Sequence, residues 1–351
     1  MKILIIKQTS LGDVLHSTVA IDAIKKKYPD AKITYLVDIS AQDIVKYNPD
    51  VDRIILFHFN YVINLAKKNI FKVIKYFYDK IKELRNEEYD IAFDLQGLER
   101  SVLFLYFARA KEKYVKGRYP LLKGYKNKDI HATLEILSVL SLAGIKQDEP
   151  KMSLFIPEGI EKSILSLLEK INPDKKPIIT ISPFTRWETK NWGLDKFKAL
   201  LKLLEQKDYI IFLTGSKEDQ SEVESMIDRN SIIDKDDDSN LTKKAKDKIF
   251  NLAGKLSILE FASLIKHSNL LVSCESFPPH IASTLHTPVI VLMGPTDEKR
   301  IGPINTRYKL IRAENVLCSK CYKRRCKKMD CMKNIMPEVV YESIVNMIEN
   351  R

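Results

Sequence analysis

The loop after the first apolar run of the chain carries side chains able to move protons. Residues 3–6 form that run, and Asp13 lies beyond it, just before a stretch with helical periodicity over residues 14–28. A carboxylate at the start of a helix accepts hydrogen bonds from free helix amides as an N-cap. It can equally serve as a general base that takes a proton from a hydroxyl group. The position alone leaves both roles open for Asp13.

The same loop excludes one frequent use of a strand-to-helix turn. Residues 7–13 contain a single glycine, Gly12. Dinucleotide fingerprints and P-loops need several glycines, because the backbone must approach the phosphates closely. Both motifs are therefore excluded here, and a dehydrogenase activity loses its main support.

Residues 273–280 follow a later apolar run and open another predicted helix. Backbone amides gather at such a helix start and bind phosphate, helped by the helix dipole. Glu275, Ser276 and His280 are polar side chains of this segment. The alternative is purely structural, with Ser276 as an N-cap and His280 as a buried, hydrogen-bonded histidine.

Four of the five cysteines lie close together near the carboxyl end, spaced Cys318-x2-Cys321-x4-Cys326-x4-Cys331. Four thiolates at this spacing could hold a structural zinc ion or iron–sulfur cluster, although the spacing is not the paired CxxC of a zinc ribbon. Free or oxidisable thiols are the alternative, since disulfides are unusual in the cytoplasm. We expect the fifth cysteine, Cys274, to be a small apolar core residue.

Apolar runs alternate with helical patterns along the whole chain, which predicts an α/β fold with parallel sheets and right-handed crossovers. The predicted strands cover residues 3–6, 33–37, 54–57 and 91–95, then 178–181, 209–214, 270–272 and 289–292. Polar, proline-bearing breaks at 149–150 and 172–177 separate the two sets. We therefore expect two doubly wound, Rossmann-like domains, residues 1–170 and 171–351. The loops at the carboxyl ends of their strands are expected to face one interdomain cleft.

Length and composition agree with two folded domains. The chain has 351 residues, a hydrophobic fraction of 45% and a formal charge of +12 at pH 7, values that exclude wholesale disorder and fibrous repeats. No apolar run approaches the roughly 18 residues of a membrane-spanning helix, and the first residues resemble a strand rather than a signal sequence. We therefore expect a cytoplasmic protein. The positive charge suits a polyanionic partner, and the densely charged stretch 232–248 predicts an exposed loop.

Short motifs in a fixed order connect the chain with a known family. They are Leu11-Gly12-Asp13-Val14-Leu15-His16, Tyr28-Pro29-Asp30-Ala31, Asp94-Leu95-Gln96-Gly97, Lys190-Asn191-Trp192, Thr214-Gly215-Ser216-Lys217-Glu218, Glu275-Ser276 through His280, and Gly294-Pro295-Thr296-Asp297. Each is weak alone, but the ordered set resembles glycosyltransferase family nine, the lipopolysaccharide heptosyltransferases. The resemblance implies a GT-B fold, an acceptor-binding first domain, and a second domain that binds a nucleotide-activated heptose, usually ADP-heptose.

For the first domain, the resemblance implies residues that bind and activate the acceptor. Asp13 would remove a proton from the acceptor hydroxyl as that hydroxyl attacks the anomeric carbon. The expected acceptor is an anionic, lipid-linked saccharide such as a Kdo-bearing core, whose carboxylates arginine binds bidentately. The acceptor-binding candidates are Ser10, Gly12, Gln96, Arg100, Arg118 and His131. Ordinary solvent-facing arginines are the alternative.

For the second domain, the resemblance implies donor-binding residues and no cofactor for catalysis, because GT-B enzymes generally need no metal. Lys190 would stabilise the charge on the departing nucleoside diphosphate. The donor-binding candidates are Thr185, Lys190, Glu218, Glu275, Ser276 and His280. The structural alternatives are a packed stem for Lys190 and a first-turn acid for Glu218. Phe277 stands where the family usually has glycine and would crowd the phosphate, so a different nucleotide sugar is the alternative donor.

Residues 70–84 predict an amphipathic helix with lysines opposite its apolar face. This helix either packs on the core of the first domain or lies on an anionic membrane, so peripheral contact with the inner membrane surface stays open. A nucleic-acid-binding protein with a metal finger is a function of another class. No histidine pair accompanies the four cysteines, and we therefore expect no nucleic acid partner.

Overall fold

The structure, a computed structural model, describes residues 1–227 and 248–349. The chain forms two compact units, Met1–Phe155 and Ile156–Arg351. The predicted exposed loop over 232–248 lies outside the described residues, apart from Lys248. Among the described helices, none combines the length and the apolar character that crossing a bilayer requires.

The first unit is built on a six-stranded sheet in the order β3-β2-β1-β4-β5-β6, and neighbouring strands run parallel. Its strands are β1 (Lys2–Ile6), β2 (Lys32–Asp38), β3 (Arg53–Phe57), β4 (Tyr89–Asp94), β5 (Ala110–Lys116) and β6 (Lys123–Tyr125). Its helices are α1 (Leu11–Ser17), α2 (Val19–Lys27), α3 (Asp43–Lys46), α4 (Phe59–Ala66), α5 (Ile70–Leu84), α6 (Glu99–Phe107) and α7 (Ala132–Ser141), with a 3-10 turn at Ile39–Ala41. The apolar residues of β1 are buried without alternation, as a sheet covered on both faces requires.

The second unit repeats this architecture with the order β12-β11-β10-β7-β8-β9, again parallel. Its strands are β7 (Ile178–Ser182), β8 (Ile210–Leu213), β9 (Ile249–Asn251), β10 (Leu270–Cys274), β11 (Val289–Leu292) and β12 (Tyr308–Ile311). Its described helices are α8 (Glu158–Ile171), α9 (Leu194–Leu204), α10 (Gln220–Glu224), α11 (Ile258–Lys266), α12 (Phe277–Leu285), α13 (Glu298–Ile301), α14 (Asp330–Lys333) and α15 (Pro337–Glu349), with a 3-10 turn at Glu188–Lys190.

Both sheets have the same strand order when their strands are counted from the start of each unit. The first two strands lie beside each other, and the fourth lies on the other side of the first, which is the order of a doubly wound Rossmann sheet. The expectation of two such α/β sheets is confirmed. In each unit the strand order therefore reverses at one point, between β1 and β4 in the first and between β7 and β10 in the second.

The units divide at 155/156, whereas the sequence predicts a boundary at 170/171. The difference comes from α8, because its apolar side chains pack on the second sheet. Ile164 and Leu168 of α8 belong to one buried cluster with Ile210 and Phe212 of β8. The loop before this helix, rather than the proline-bearing turn after it, is therefore where few contacts cross.

The predicted amphipathic helix over residues 70–84 is confirmed as α5, and α4 comes directly before it. Asn69 separates them, because its side-chain oxygen accepts a hydrogen bond from the backbone N–H of Lys72 (3.2 Å) and caps α5. Tyr76, Phe77 and Ile81 of α5 pack on the core of the first unit. Four further apolar side chains of α5 stay exposed: Ile70, Phe71, Ile74 and Tyr78.

Candidate active site

In the first unit, predicted acceptor-side residues collect where β1 and β4 end. The carboxyl ends of these strands, at the reversal of strand order, are where doubly wound sheets bind ligands. Gln96, after β4, reaches the loop after β1. Its Oε1 accepts hydrogen bonds from the backbone N–H groups of Gln8 (3.2 Å) and Thr9 (3.0 Å). Gln96 thus fixes the loop that leads to Asp13.

Asp13 occupies the third position of α1, and Ser10 is the N-cap residue. One carboxylate oxygen of Asp13 accepts hydrogen bonds from the backbone N–H (3.2 Å) and the hydroxyl (2.8 Å) of Ser10. The other oxygen lies 4.0 Å from Nζ of the buried Lys7, and the Asp13 side chain is 49% exposed. The N-cap role expected for Asp13 is therefore wrong, because Ser10 holds that position and Asp13 bonds back to it from the third residue of the helix. The carboxylate still faces solvent, so the general-base role stays a prediction. Gly12 lies in the first turn of the same helix.

Lys7 controls the charge state of this site. Packing around the Asp13 carboxylate raises its pKa, but the Lys7 ammonium, His16 and the hydrogen bonds from Ser10 outweigh that effect and hold the pKa below its usual range. Burial lowers the pKa of Lys7, and Asp13 opposes that shift. No sequence motif pointed to Lys7. The available signal was a lysine directly after a fully apolar strand, at the end where ligands bind.

Asp94 at the end of β4 is fully buried, and burial raises its pKa to about 6 although hydrogen bonds oppose the shift. It accepts hydrogen bonds from the backbone N–H groups of Gln96 (2.7 Å) and Gly97 (3.0 Å) and from the Ser101 hydroxyl (2.8 Å). Gly97 has φ +67, and a side chain there would collide with the carbonyl oxygen of Lys116. Asp94 therefore shapes the turn that presents Gln96.

Arg100 joins the same group of residues. Its Nε donates to the side-chain oxygen of Gln8 (3.1 Å) and its Nη2 donates to the Thr9 hydroxyl (2.7 Å). The guanidinium lies 4.4 Å from the ring centre of Phe59, the first residue of α4. Arg100 is thus held in a fixed position over the loop after β1, where an anionic sugar could use its remaining donors.

His131 is near this group, whereas Arg118 has no fixed contact with it. His131 is the N-cap residue of α7, and its Nδ1 lies 2.7 Å from the Thr133 hydroxyl. Its ring meets that of the buried His16 of α1, with centres 5.5 Å apart. Arg118 is exposed in the loop after β5. The structure brings four acceptor candidates into contact with the loop after β1 or with α1: Ser10, Gln96, Arg100 and His131.

A buried ion pair behind this site also escaped the sequence analysis. Glu135 of α7 is 1% exposed and lies 3.1 Å from Nζ of Lys116 at the end of β5. Glu135 raises the pKa of Lys7 and Lys116 lowers it. Lysines and glutamates usually face solvent, so the sequence alone gives no sign that Lys116 and Glu135 pair inside the protein.

In the second unit, two predicted donor residues form a buried ion pair. Lys190 Nζ lies 2.5 Å from Glu275 Oε2, and both side chains are almost excluded from solvent. Glu275 follows β10, and Lys190 ends the 3-10 turn that comes after β7. The two residues therefore flank the reversal point of this sheet, as Asp13 and Gln96 do in the first. The Thr296 hydroxyl also donates to Glu275 Oε2 (2.7 Å).

The loop before Lys190 is folded by its own polar side chains. The backbone N–H of Thr185 donates to the Asn191 side-chain oxygen (2.8 Å), and the Thr185 hydroxyl donates to the Trp187 carbonyl (2.8 Å). Lys190 Nζ lies 4.2 Å from the ring centre of Trp187. Thr185 therefore shapes this loop, and Trp187 gives the lysine a cation–π partner.

The other donor candidates follow β10 and β8. Ser276 is the N-cap position of α12, but its hydroxyl donates to the Cys274 carbonyl (3.3 Å) and caps no helix amide. His280 is buried in the same helix, and Phe277 is its first residue. Glu218 is exposed after β8. A backbone hydrogen bond and the Ser216 hydroxyl lower the pKa of Glu218, and Arg186 of the loop before Lys190 adds to the effect.

The cysteine-bearing segment, residues 318–331, packs on the loops that carry the Lys190–Glu275 pair. The Thr189 hydroxyl donates to the Lys323 carbonyl (2.7 Å), and the Tyr322 N–H donates to the Pro295 carbonyl (2.8 Å). Gly294 lies against the buried Met332. A Cβ atom at residue 294 would come within 2.6 Å of the Met332 sulfur, so this contact leaves no room for a side chain. No sequence motif connects this segment with the donor loops.

The structure gives no support to a metal at the four cysteines. Within residues 1–227 and 248–349, no group of three or more His, Cys, Asp or Glu side chains is arranged to hold a metal ion. Cys318 and Cys321 are exposed, Cys326 is half-buried and Cys331 is buried. Burial raises the pKa of the Cys331 thiol, and the other three cysteines add to the shift. As expected, Cys274 is a fully buried residue of the sheet core.

The chain matches a family model and several proteins of known activity. The family model described as glycosyltransferase family 9 (heptosyltransferase) matches residues 78–332. Lipopolysaccharide heptosyltransferase 3 of Escherichia coli strain K12 is 30% identical over 296 residues, which are 82% of this chain and 80% of that protein.

Solved structures share the fold over the whole length. The glycosyltransferase family 9 protein of Veillonella parvula DSM 2008 superposes with a TM-score of 0.83 at 19% identity, covering 100% of this chain and 98% of that one. The heptosyltransferase WaaC of Escherichia coli, solved with ADP, gives a TM-score of 0.74 at 19% identity, covering 99% of this chain and 100% of that one. The fold is thus of the GT-B type, and with the family model matching well over half of its residues, the chain belongs to glycosyltransferase family 9, the heptosyltransferases.

Proposed function

We propose that this glycosyltransferase moves a heptose from ADP-heptose to the anionic, lipid-linked saccharide of the lipopolysaccharide inner core, with inversion at the anomeric carbon. The names of the matched relatives support the sugar and the acceptor, and the ADP held by one solved relative supports the nucleotide. The observation in this chain that carries the proposal is the half-exposed Asp13 carboxylate, kept ionised beside the buried Lys7.

Asp13 is the general base of the proposed reaction. The acceptor hydroxyl oxygen bonds to the anomeric carbon as the bond from that carbon to the diphosphate oxygen breaks. The hydroxyl proton passes to Asp13, and the bonding electron pair leaves with ADP. A carboxylate of low pKa suffices, because the proton becomes acidic only as the new bond forms, and the fixed position of the base supplies orientation.

Lys190 stabilises the departing diphosphate. Its ammonium is positioned before the donor arrives, because Glu275 and Trp187 hold it from two directions. A preorganised cation in a nearly dry site stabilises developing negative charge far better than the same cation in water. The proposed step uses only groups of this chain and no cofactor.

The remaining donor candidates orient the nucleotide sugar. Thr185 shapes the loop of Lys190, and the exposed Glu218 carboxylate can accept a hydrogen bond from a ribose hydroxyl. Ser276 and His280 lie at the start of α12, where the diphosphate is expected. We assign donor binding to these four residues together with Lys190 and Glu275.

On the acceptor side, Arg100 is the residue best placed to bind a sugar carboxylate. Gln8 and Thr9 fix its guanidinium, which carries five N–H donors and therefore keeps some for a ligand. Ser10, Gly12 and Gln96 form the loop around Asp13, and His131 borders α1. Arg118 is exposed on the loop after β5, so it would contact only a part of the acceptor that lies in solvent.

A membrane-facing surface fits a lipid-linked acceptor. The solvent side of α5 exposes Ile70, Phe71, Ile74 and Tyr78 at helical spacing, and Phe71 is 77% exposed. Residues 59–85 carry seven Lys and Arg against two Asp and Glu, so the surface is complementary to an anionic bilayer. We therefore propose that this α4–α5 surface rests on the cytoplasmic face of the inner membrane.

A screen of nucleoside diphosphates tests the donor. ADP should raise the melting temperature of the protein, and UDP and GDP should raise it less, because only a ligand that binds the native state stabilises it. Glu275 and Phe277 depart from the usual family pattern, which makes another nucleotide sugar the specific competitor. A larger shift with UDP or GDP than with ADP would favour that competitor.

A further inference from the structure

The expected phosphate site at the start of α12 is short of backbone donors. The helix begins with Phe277, Pro278 and Pro279. The first turn of a helix normally offers four free N–H groups, but proline has none, so two of them are missing here. This helix start therefore binds a diphosphate more weakly than the same turn without prolines.

Lys190 alone does not replace the two missing N–H donors. Its ammonium is paired with Glu275 at 2.5 Å, and the two nearly buried charges sum to zero. A ligand carrying several negative charges requires positive charge that no carboxylate already balances. Some other cation should therefore lie close to Lys190 on this side of the second unit.

Arg324 lies close to it. Its guanidinium carbon is 4.5 Å from the ring centre of Trp187, and Lys190 Nζ is 4.2 Å from the same ring. The neighbouring residue Lys323 is tied by its carbonyl to Thr189, next to Lys190 in sequence. The two cations therefore share one indole ring, and the segment that carries Arg324 is anchored to the Lys190 loop.

The guanidinium of Arg324 is available to a ligand. The residue is exposed, and within the part of the chain that the structure describes its side chain makes no hydrogen bond or ion pair. A guanidinium oriented by an aromatic ring presents its N–H donors in the fork geometry that phosphate oxygens fit. The same segment is held at a second point by the pairs of Lys320 with Asp297 (3.1 Å) and Glu298 (2.8 Å).

We propose that Arg324, stacked on Trp187 beside Lys190, binds the diphosphate of the nucleotide-sugar donor in place of the amides missing at Pro278 and Pro279. The inference rests on the proposed function and assigns a binding role to the cysteine-bearing segment. Arg324 contributes the positive charge that the Lys190–Glu275 pair lacks. It also distinguishes a diphosphate from a nucleoside, since the nucleoside offers it no anion.

Binding of ADP and of adenosine to Arg324→Ala, compared with wild type, tests the proposal. Loss of one or two charge-assisted hydrogen bonds should weaken ADP about ten- to hundredfold and leave adenosine affinity unchanged. Arg324→Lys should recover part of the ADP affinity. In transfer assays the donor KM of Arg324→Ala should rise in parallel. Arg325→Ala is the matched control, because Arg325 is the next exposed arginine and should bind ADP like wild type.

Unchanged ADP affinity in Arg324→Ala, with wild type binding ADP normally, would overturn the inference and leave the proposed function intact. An equal loss of ADP and adenosine would also overturn it, because the residue would then be structural. If the wild type bound no nucleoside diphosphate, the proposed donor would itself be wrong and the inference would fall with it.

Discussion

Lys190 Nζ lies 2.5 Å from Glu275 Oε2 inside the second unit, with side chains only 11% and 5% exposed. The two residues come from loops that follow different strands, at the point where the strand order reverses. A buried pair of this kind is weak evidence for stability, because desolvation offsets much of the attraction. The pair instead fixes the position of both side chains before any ligand binds.

Breaking this pair should destabilise the protein. Glu275→Gln leaves the Lys190 ammonium buried without its counter-charge, which costs roughly 3–5 kcal/mol in comparable pairs. Chemical denaturation of the variant should show that loss. The double variant Lys190→Met/Glu275→Met removes both charges and should recover most of the stability while remaining inactive. If the single and double variants unfolded alike, the pair would not be the cause.

Asp94 should make stability fall as pH rises. Its pKa is raised from 3.8 to about 6 in the folded state, so the folded protein holds its proton more tightly than the unfolded chain does. The stability from this group is complete below about pH 4 and is lost as pH rises through about 6, on the order of 3 kcal/mol in total. Asp94→Asn should flatten the wild-type slope over that window. An identical slope in the variant would contradict this pKa shift.

Lys7 should set the acidic limb of the rate profile. The Lys7 ammonium lowers the pKa of Asp13, so Lys7→Met should raise that pKa and move the low-pH fall of kcat/KM to higher pH. Lys111→Met is the control, because the exposed Lys111 pairs with Asp90 and contributes to the pKa of neither Lys7 nor Asp13. A limb that stayed at the wild-type pH in Lys7→Met would remove Lys7 from the mechanism.

The proposed α4–α5 surface should bind anionic vesicles. Phe71→Asn/Ile74→Asn removes two exposed apolar side chains, so cosedimentation with phosphatidylglycerol vesicles should drop several-fold. Activity on a soluble, truncated acceptor should stay at the wild-type level. Leu121→Asn is the matched control, since Leu121 is fully exposed elsewhere in the first unit. Undiminished vesicle binding by the double variant would exclude this surface, and a change in oligomeric state would indicate a second copy as its occupant.

Apolar runs predicted the central strands, because buried parallel strands need continuous hydrophobic residues. They did not predict β5, β6, β9 and β12. Of these, β5 and β12 expose charged or aromatic side chains such as Lys111 and Tyr308. Strands that are short or half-exposed lack a continuous apolar run and depend on their neighbours for pairing. The predicted boundary between the units differs from the observed one for a similar reason. The sequence of α8 does not show that this helix packs on the second sheet.

For the candidate site, sequence motifs pointed to Asp13, Lys190 and Glu275, whose roles stay predictions, but not to the charged residues that lie around them. Lys7 and Arg324 appear in the sequence as two among 58 basic residues. Only the fold shows that one is buried against Asp13 and that the other is stacked on Trp187. Composition and motif spacing do not show which charged residues, distant in sequence, come together in the fold.

Single-turnover transfer by Asp13→Asn, measured together with its ADP affinity, tests the central claim most directly. Asparagine keeps the size of the side chain and can still accept the hydrogen bonds of Ser10, but it cannot take up a proton. We predict that transfer falls at least a hundredfold with ADP affinity within about twofold of wild type. Transfer at the wild-type rate would contradict the assignment of Asp13 as the base.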